Sequence, residues 1–169
     1  MYQKLNKLSN LACRSDFDLK NDWDLIIIGS GPEEKNLKNL VKTLGLNSSI
    51  NFTGFVTQAE IANYYAICDL YVHLAKQEPF GLTLIEAQAF GKPVITVAEG
   101  GPRENILENE TGFLVDSNVE KLTNRIIQLL LDDKLRIQFG EKAKKYIKEK
   151  YDWSDSGKRF LKVCEEFNK

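Results

Sequence analysis

The chain has 169 residues, 43% of them apolar and 28% charged. That is the makeup of one globular domain with its own core, and it excludes global disorder, collagen-like repeats and a disulfide scaffold. Against 24 Asp and Glu stand 23 Lys and Arg, a formal charge of −1, so no overall basic field draws the chain to nucleic acid or anionic lipid.

No apolar run approaches the ~18 residues needed to cross a bilayer. Met1 to Asp16 alternates Leu with polar residues and lacks the apolar core of a signal peptide. Cys13, Cys68 and Cys164 are odd in number and have no metal spacing, as expected of small apolar residues in a reducing compartment.

Strands and helices alternate along the chain. Leu5, Leu8, Leu11 and Ala12 predict a short amphipathic helix. Leu25 to Ile28 is a branched apolar run that predicts a buried strand, turning at Gly29-Ser30-Gly31-Pro32. Pro32 is placed as a first helical residue, and Leu37, Leu40, Val41 and Leu44 continue at helical spacing to a stop at Gly45. Ile50 to Thr53 is the next strand, and Thr57 with Glu60 predicts a capping box opening a helix through Ala66. A strand over Leu70 to Leu74 leads through a loop into a helix from about Leu82 to Phe90, ended by Gly91 and Pro93. Strands follow over Pro93 to Ala98 and Gly112 to Val115. Ser117 with Glu120 predicts a second capping box, and two further helices run from about Leu135 to Lys150 and from Ser154 to Phe167. The Lys-rich stretch Lys142 to Lys150 has the spacing of a solvated helix face.

Repeated β-α units imply a Rossmann-like, doubly wound parallel sheet with helices on both faces. Ligands of such sheets bind beyond the carboxyl ends of the strands. Glu78-Pro79-Phe80-Gly81-Leu82-Thr83-Leu84-Ile85-Glu86 lies at that edge, with two glutamates eight positions apart across a strand-to-helix turn. A helix N-terminus offers unpaired N–H groups and about half a positive charge, a seat for phosphate. Gly81 leaves that approach open. The segment reads either as this seat flanked by two carboxylates or as a capped helix with solvent-exposed acids.

Gly29-Ser30-Gly31-Pro32 is a turn or a second nucleotide approach, but Glu34 stands where a dinucleotide fingerprint needs its third glycine. Gly100-Gly101-Pro102-Arg103-Glu104 is a loop at the same edge. His73, the single histidine, sits in a predicted strand as a core or pocket-wall imidazole. One histidine and widely spaced acids predict no protein-bound metal.

The stretch from Glu78 to Val97, EPFGLTLIEAQAFGKPVITV, resembles the signature of retaining glycosyltransferases of family four, which have the GT-B fold and two Glu separated by seven residues. The resemblance extends to Gly29–Pro32, Phe52–Val56, Ala66–Asp69, Gly100–Glu104, Thr111–Val115 and Tyr151-Asp152-Trp153, in that order. It implies a single domain over residues 1–169, the C-terminal, donor-binding half of a GT-B enzyme, with the final helices (about 135–168) packed on it. The donor is a nucleoside-diphosphate sugar, a substrate, with no cofactor and no metal.

Glu78 is expected to orient the transferred sugar, and Phe80, Gly81, Leu82 and Thr83 to hold the diphosphate and sugar. Glu86 is expected on the ribose hydroxyls, Gly29, Gly31, Phe55 and Val56 at the base, and Gly101 and Glu104 facing the donor. Lys4, in Tyr2-Gln3-Lys4, matches the diphosphate lysine of the family, whose companion arginine and opening strand are expected before residue 1. The fold is therefore expected to lack its first strand, and the N-terminal acceptor domain to be absent. That domain, from the same protein or a partner chain, is the expected macromolecular partner, with no nucleic acid. A cytoplasmic location is expected, extending to peripheral attachment of the parent on the inner membrane face. The alternative is a non-catalytic subunit or scaffold of a two-chain glycosyltransferase.

Overall fold

The computed structural model describes residues 23–76 and 78–167, Trp153 by its backbone alone. Lys4 and the short helix expected around Leu5 to Ala12 lie outside these residues. Strand β1 (Leu25–Ile28) leads into helix α1 (Glu34–Thr43), then β2 (Ile50–Gly54), α2 (Gln58–Ile67), β3 (Tyr71–His73), α3 (Leu82–Ala89) and β4 (Val94–Val97). A 3₁₀ helix over Gly101–Asn105 comes next, then β5 (Gly112–Val115), α4 (Val119–Leu131), α5 (Asp133–Lys150) and α6 (Trp153–Phe167).

All strand pairs are parallel, as the alternation predicts. β1 pairs with β2 from Leu25↔Ile50 through Ile27↔Phe52, then slips so that Ile28 faces Gly54. The other sheet has the order β3-β4-β5, with Tyr71↔Val94 and Val94↔Gly112 in register. One continuous sheet was expected. Among the described residues the strands fall into two sheets instead, because β1 is hydrogen-bonded only to β2, and β3 only to β4.

β4 is buried on both faces, which explains its unbroken Val-Ile-Thr-Val run. The period-2 alternation of strand side chains sorts its neighbours into two cores. Ile95, Phe113 and Val115 pack with Leu122 and Leu129 of α4 and Phe139 of α5. Val94 packs on the other face with Tyr65 of α2, Leu84 and Ala87 of α3, and Ile106. Helices thus cover both faces of this sheet. β1, β2 and α1 share a third core around Leu37, Val41 and Ile50.

Helix ends follow local chemistry. The Thr57–Glu60 capping box forms, with Glu60 Oε2 accepting from Thr57 N at 3.0 Å and Thr57 Oγ1 at 2.6 Å. The second expected box does not. Asn118 caps α4, its Oδ1 accepting from Glu120 N at 2.9 Å and Lys121 N at 3.1 Å, while Ser117 Oγ donates to Glu99. Asn is at least as strong a cap as Ser and here sits one residue closer to the helix. Pro32 stands two residues before α1 rather than in it, because Glu34 N–H donates to Gly31 O and closes a turn around Pro32 and Glu33. α5 approaches α3 where Gly140 meets the Gly91 carbonyl, and Phe160, Leu161, Val163 and Phe167 of α6 are exposed.

Candidate functional site

The carboxyl end of β3 and the first turn of α3 frame the candidate site. Gly81 is the N-cap of α3 at φ +82°, a left-handed conformation that a side chain disfavours. Its carbonyl accepts from Leu84 N and Ile85 N, which starts the helix. Among the described residues no acceptor takes the N–H of Leu82 or Thr83, two of the donors a helix N-terminus leaves over. Thr83 Oγ1, in the same turn, is buried and faces the Tyr71 hydroxyl.

Glu78 reaches back to this turn. Its Oε1 accepts the Gly81 N–H at 3.0 Å, so the carboxylate lies against the positive end of α3, where the helix dipole favours it. Its Oε2 stands 3.6 Å from His73 Nε2, a buried nitrogen with no hydrogen-bond partner among the described residues. His73 is thus a wall of this site rather than a core residue, a placement that its position at the end of β3 carries.

Glu86 sits one turn further along α3 and is held from α2. Its Oε2 accepts from Tyr65 OH at 2.9 Å and its Oε1 from Gln58 Nε2 at 3.3 Å. Tyr65 is 3% exposed. Burial first, then Tyr71 and Glu86, push its phenol far above the ordinary range, so the hydroxyl stays a donor throughout the physiological range. Burial raises the Tyr71 phenol as well. Neither Tyr65 nor Gln58 was anticipated, since each meets Glu86 only through the packing of α2 on α3. The one available signal was a phenol on the buried face of a helix, whose polar tip needs a partner.

The Gly100-Gly101 segment does not form the expected flexible loop. Gly100 turns at φ +73°, and Gly101 opens the 3₁₀ helix with its N–H donated to Glu78 O at 3.1 Å. A Cβ on Gly101 would stand 2.0 Å from Pro79 O, so close backbone packing demands glycine here. Asn105, fully buried, ties the pieces together. Its Nδ2 donates to Phe80 O, its Oδ1 accepts from Tyr151 OH, and its carbonyl accepts from Gln88 Nε2 at 2.9 Å. Phe80 is half-exposed and meets the Tyr151 ring edge-on at 6.0 Å. The Glu104 side chain is exposed, while its carbonyl accepts from Tyr146 OH and Lys150 Nζ.

Glu78, Phe80, Gly81, Leu82, Thr83, Glu86 and Gly101 therefore share one cluster. The turn residues of the other sheet form a second group. Gly29 N–H donates to Gly54 O at 2.8 Å, which brings that turn beside the strongly exposed Phe55 and the half-buried Val56. α2 begins two residues after Val56 with Gln58, and so links this group to Glu86. Gly31, two residues on in the same turn, also lines an open depression of about 530 Å³ with Pro32, Glu34, Lys35, Lys38 and Asn39. Among the described residues no three His, Cys, Asp or Glu side chains cluster as metal ligands, and no helix is long and apolar enough to cross a membrane.

Known proteins are similar to this chain in sequence and in fold. N-acetyl-alpha-D-glucosaminyl L-malate synthase of Bacillus anthracis is 35% identical over 131 residues, 77% of this chain and 34% of that protein. The crystal structure of Anabaena Alr3699/HepE in complex with UDP and glucose matches with a TM-score of 0.73 at 26% identity, over 85% of this chain and 40% of that one. The C-terminal domain of LpcC, a glycosyl transferase group 1 family protein from Francisella tularensis, matches with a TM-score of 0.74 at 26% identity, over 89% of this chain and 80% of that one. The chain spans about a third of the length of the curated relatives it matches. Its fold is Rossmann-like and fits the C-terminal half of a GT-B glycosyltransferase. The model of the family "Glycosyl transferases group 1" matches residues 3–146, and the chain belongs to that family.

Proposed function

We propose that the chain is the donor-binding domain of a retaining glycosyltransferase of family four, with the E-x7-E pair Glu78 and Glu86. The observation that carries this reading is the first turn of α3: two N–H groups without acceptors among the described residues, at Leu82 and Thr83, bracketed by the two carboxylates. Those N–H groups and the helix dipole hold the diphosphate of a nucleotide-sugar and stabilise the charge it gains as the leaving group. Glu78 accepts hydrogen bonds from the transferred sugar and fixes its orientation, which converts binding energy into rate. Glu86 accepts from the ribose hydroxyls. Gly29, Gly31, Phe55 and Val56 border the base, Gly101 and Glu104 border the sugar side, and Lys4 adds a cation to the diphosphate. The reaction uses no metal, since positioning and backbone donors neutralise the leaving group.

The acceptor, a glycan or lipid-linked saccharide, is held by an N-terminal domain of the same protein or by a partner chain. The parent works in the cytoplasm or at the inner membrane face. The UDP held by the HepE neighbour supports a nucleoside-diphosphate donor. A thermal-shift panel of UDP, GDP, ADP and NAD tests this. Saturation at a hundred times the dissociation constant stabilises by ~2.7 kcal/mol, which raises the melting temperature by roughly 5–11 °C for a chain of this size. One nucleoside diphosphate is expected to give that shift in the wild type and none in Glu86→Ala. No shift with any of them overturns the reading.

A further inference from the structure

We infer that Tyr65 is a positioning residue for ribose recognition, acting through Glu86. The inference rests on the donor-site reading and deepens it. Tyr65 is locked in place. It is 3% exposed and packs in the core formed by Leu84, Ala87, Val94 and Ile106. The Tyr71 ring meets it edge-on at 5.6 Å and the Phe90 ring lies tilted at 5.8 Å. A phenol so confined holds its hydroxyl between the Tyr71 hydroxyl and Glu86 Oε2, to which it donates at 2.9 Å.

A carboxylate has about four acceptor positions and free rotation about its last bond. Tyr65 takes one position on Oε2 and Gln58 one on Oε1. The remaining lone pairs then face outward as a pair, an arrangement matched to two adjacent hydroxyls. The two partners differ in kind. Gln58 is exposed, so water can replace its amide. Tyr65 is buried and its ring is held by contacts with Tyr71 and Phe90. Tyr65 touches no substrate in this scheme. It stops the carboxylate from turning away.

The test is isothermal titration of the chain and its Tyr65→Phe variant with UDP, GDP and ADP, and with the 2′,3′-dideoxy form of whichever binds. Phenylalanine keeps the ring contacts, and a cooperative melt checks the fold. Tyr65→Phe is expected to weaken the ribonucleotide by on the order of tenfold, the loss of a hydrogen bond to a charged group, and to leave the dideoxynucleotide unchanged. Equal weakening of both nucleotides, or of neither, overturns the inference and leaves the donor site standing. A wild type that binds no nucleotide overturns the donor-site reading, and this inference with it. Should the variant fail to fold, 3-fluorotyrosine placed at position 65 gives the answer by its ¹⁹F resonance. That resonance is expected to move with the ribonucleotide and not with the dideoxynucleotide; a resonance that responds alike to both overturns the inference.

Discussion

Gly101 is the most demanding contact in the site, and Gly101→Ala probes it with a single carbon. The added Cβ would stand 2.0 Å from Pro79 O, 2.5 Å from Pro79 C and 2.8 Å from Phe80 Cα, all backbone atoms. Real Cβ contacts essentially never fall below 3.0 Å, so the 78–80 loop and the 3₁₀ helix must part by about 1 Å. No rotamer change relieves this. The movement strains the Gly101 N–H to Glu78 O bond at 3.1 Å, and displaces Glu78, whose carboxylate caps Gly81. Overpacking of this kind costs about 1–3 kcal/mol, or roughly 2–12 °C in melting temperature for a chain of this size. A displacement of ~1 Å in a positioning loop costs up to about a hundredfold in function, so nucleotide affinity is expected to fall, by on the order of tenfold. Differential scanning calorimetry and isothermal titration measure the two effects. Gly31→Ala is the comparison, since a Cβ there meets nothing within 4 Å and stability is expected to hold. Gly101→Ala with wild-type stability would refute the packing argument. Lost stability with unchanged nucleotide affinity would refute the link from this loop to the donor site.

Three further outcomes follow from the same contacts. Asn105→Ala leaves Phe80 O and Tyr151 OH without their partner, a cost of about 1–3 kcal/mol for each buried group that finds no water, read as a lower denaturation midpoint in urea. Glu60 is held below its ordinary pKa of 4.5 by the Thr57 hydroxyl and then by the Thr57 backbone. A carboxyl with a lowered folded pKa stabilises the fold above its unfolded pKa, and that contribution disappears as pH falls through the folded value. The melting-temperature gap between wild type and Glu60→Gln is therefore expected to be complete well above pH 4.5 and to close as pH falls below it through the lowered folded value. Tyr65→Phe is expected to lower selectivity for ribonucleotides over dideoxynucleotides while the melt remains cooperative.

Much of this architecture is legible in the chain itself. The Val-Ile-Thr-Val run of β4 announces a strand buried on both faces, and Gly91 stops α3 where a left-handed residue is needed, at φ +72°. Glu78, Gly81 and Glu86 belong to one loop and the first two turns of the helix it enters, so their spacing already brings them together. What escaped is non-local. Tyr65 and Gln58 meet Glu86 across 21 and 28 residues of sequence, and Asn105 meets Phe80 and Tyr151 across 25 and 46. Such contacts depend on how helices pack, which no local pattern encodes. The 3₁₀ helix was missed for a related reason: Gly100 and Gly101 look like loop residues, yet they are there to let two backbones touch. At α4, Ser117 and Asn118 are both strong caps in adjacent positions, and the choice between them is settled by geometry.

The central claim is that the first turn of α3 binds the diphosphate of a nucleotide-sugar. Titration of ¹⁵N-labelled chain with the nucleoside diphosphate that stabilises it, followed by amide spectra, tests this directly. The largest shifts are expected at Gly81, Leu82 and Thr83, the N–H groups at the helix start. Shifts confined to Lys35, Lys38 and Asn39, around the depression beside α1, with none at the start of α3, would contradict the claim.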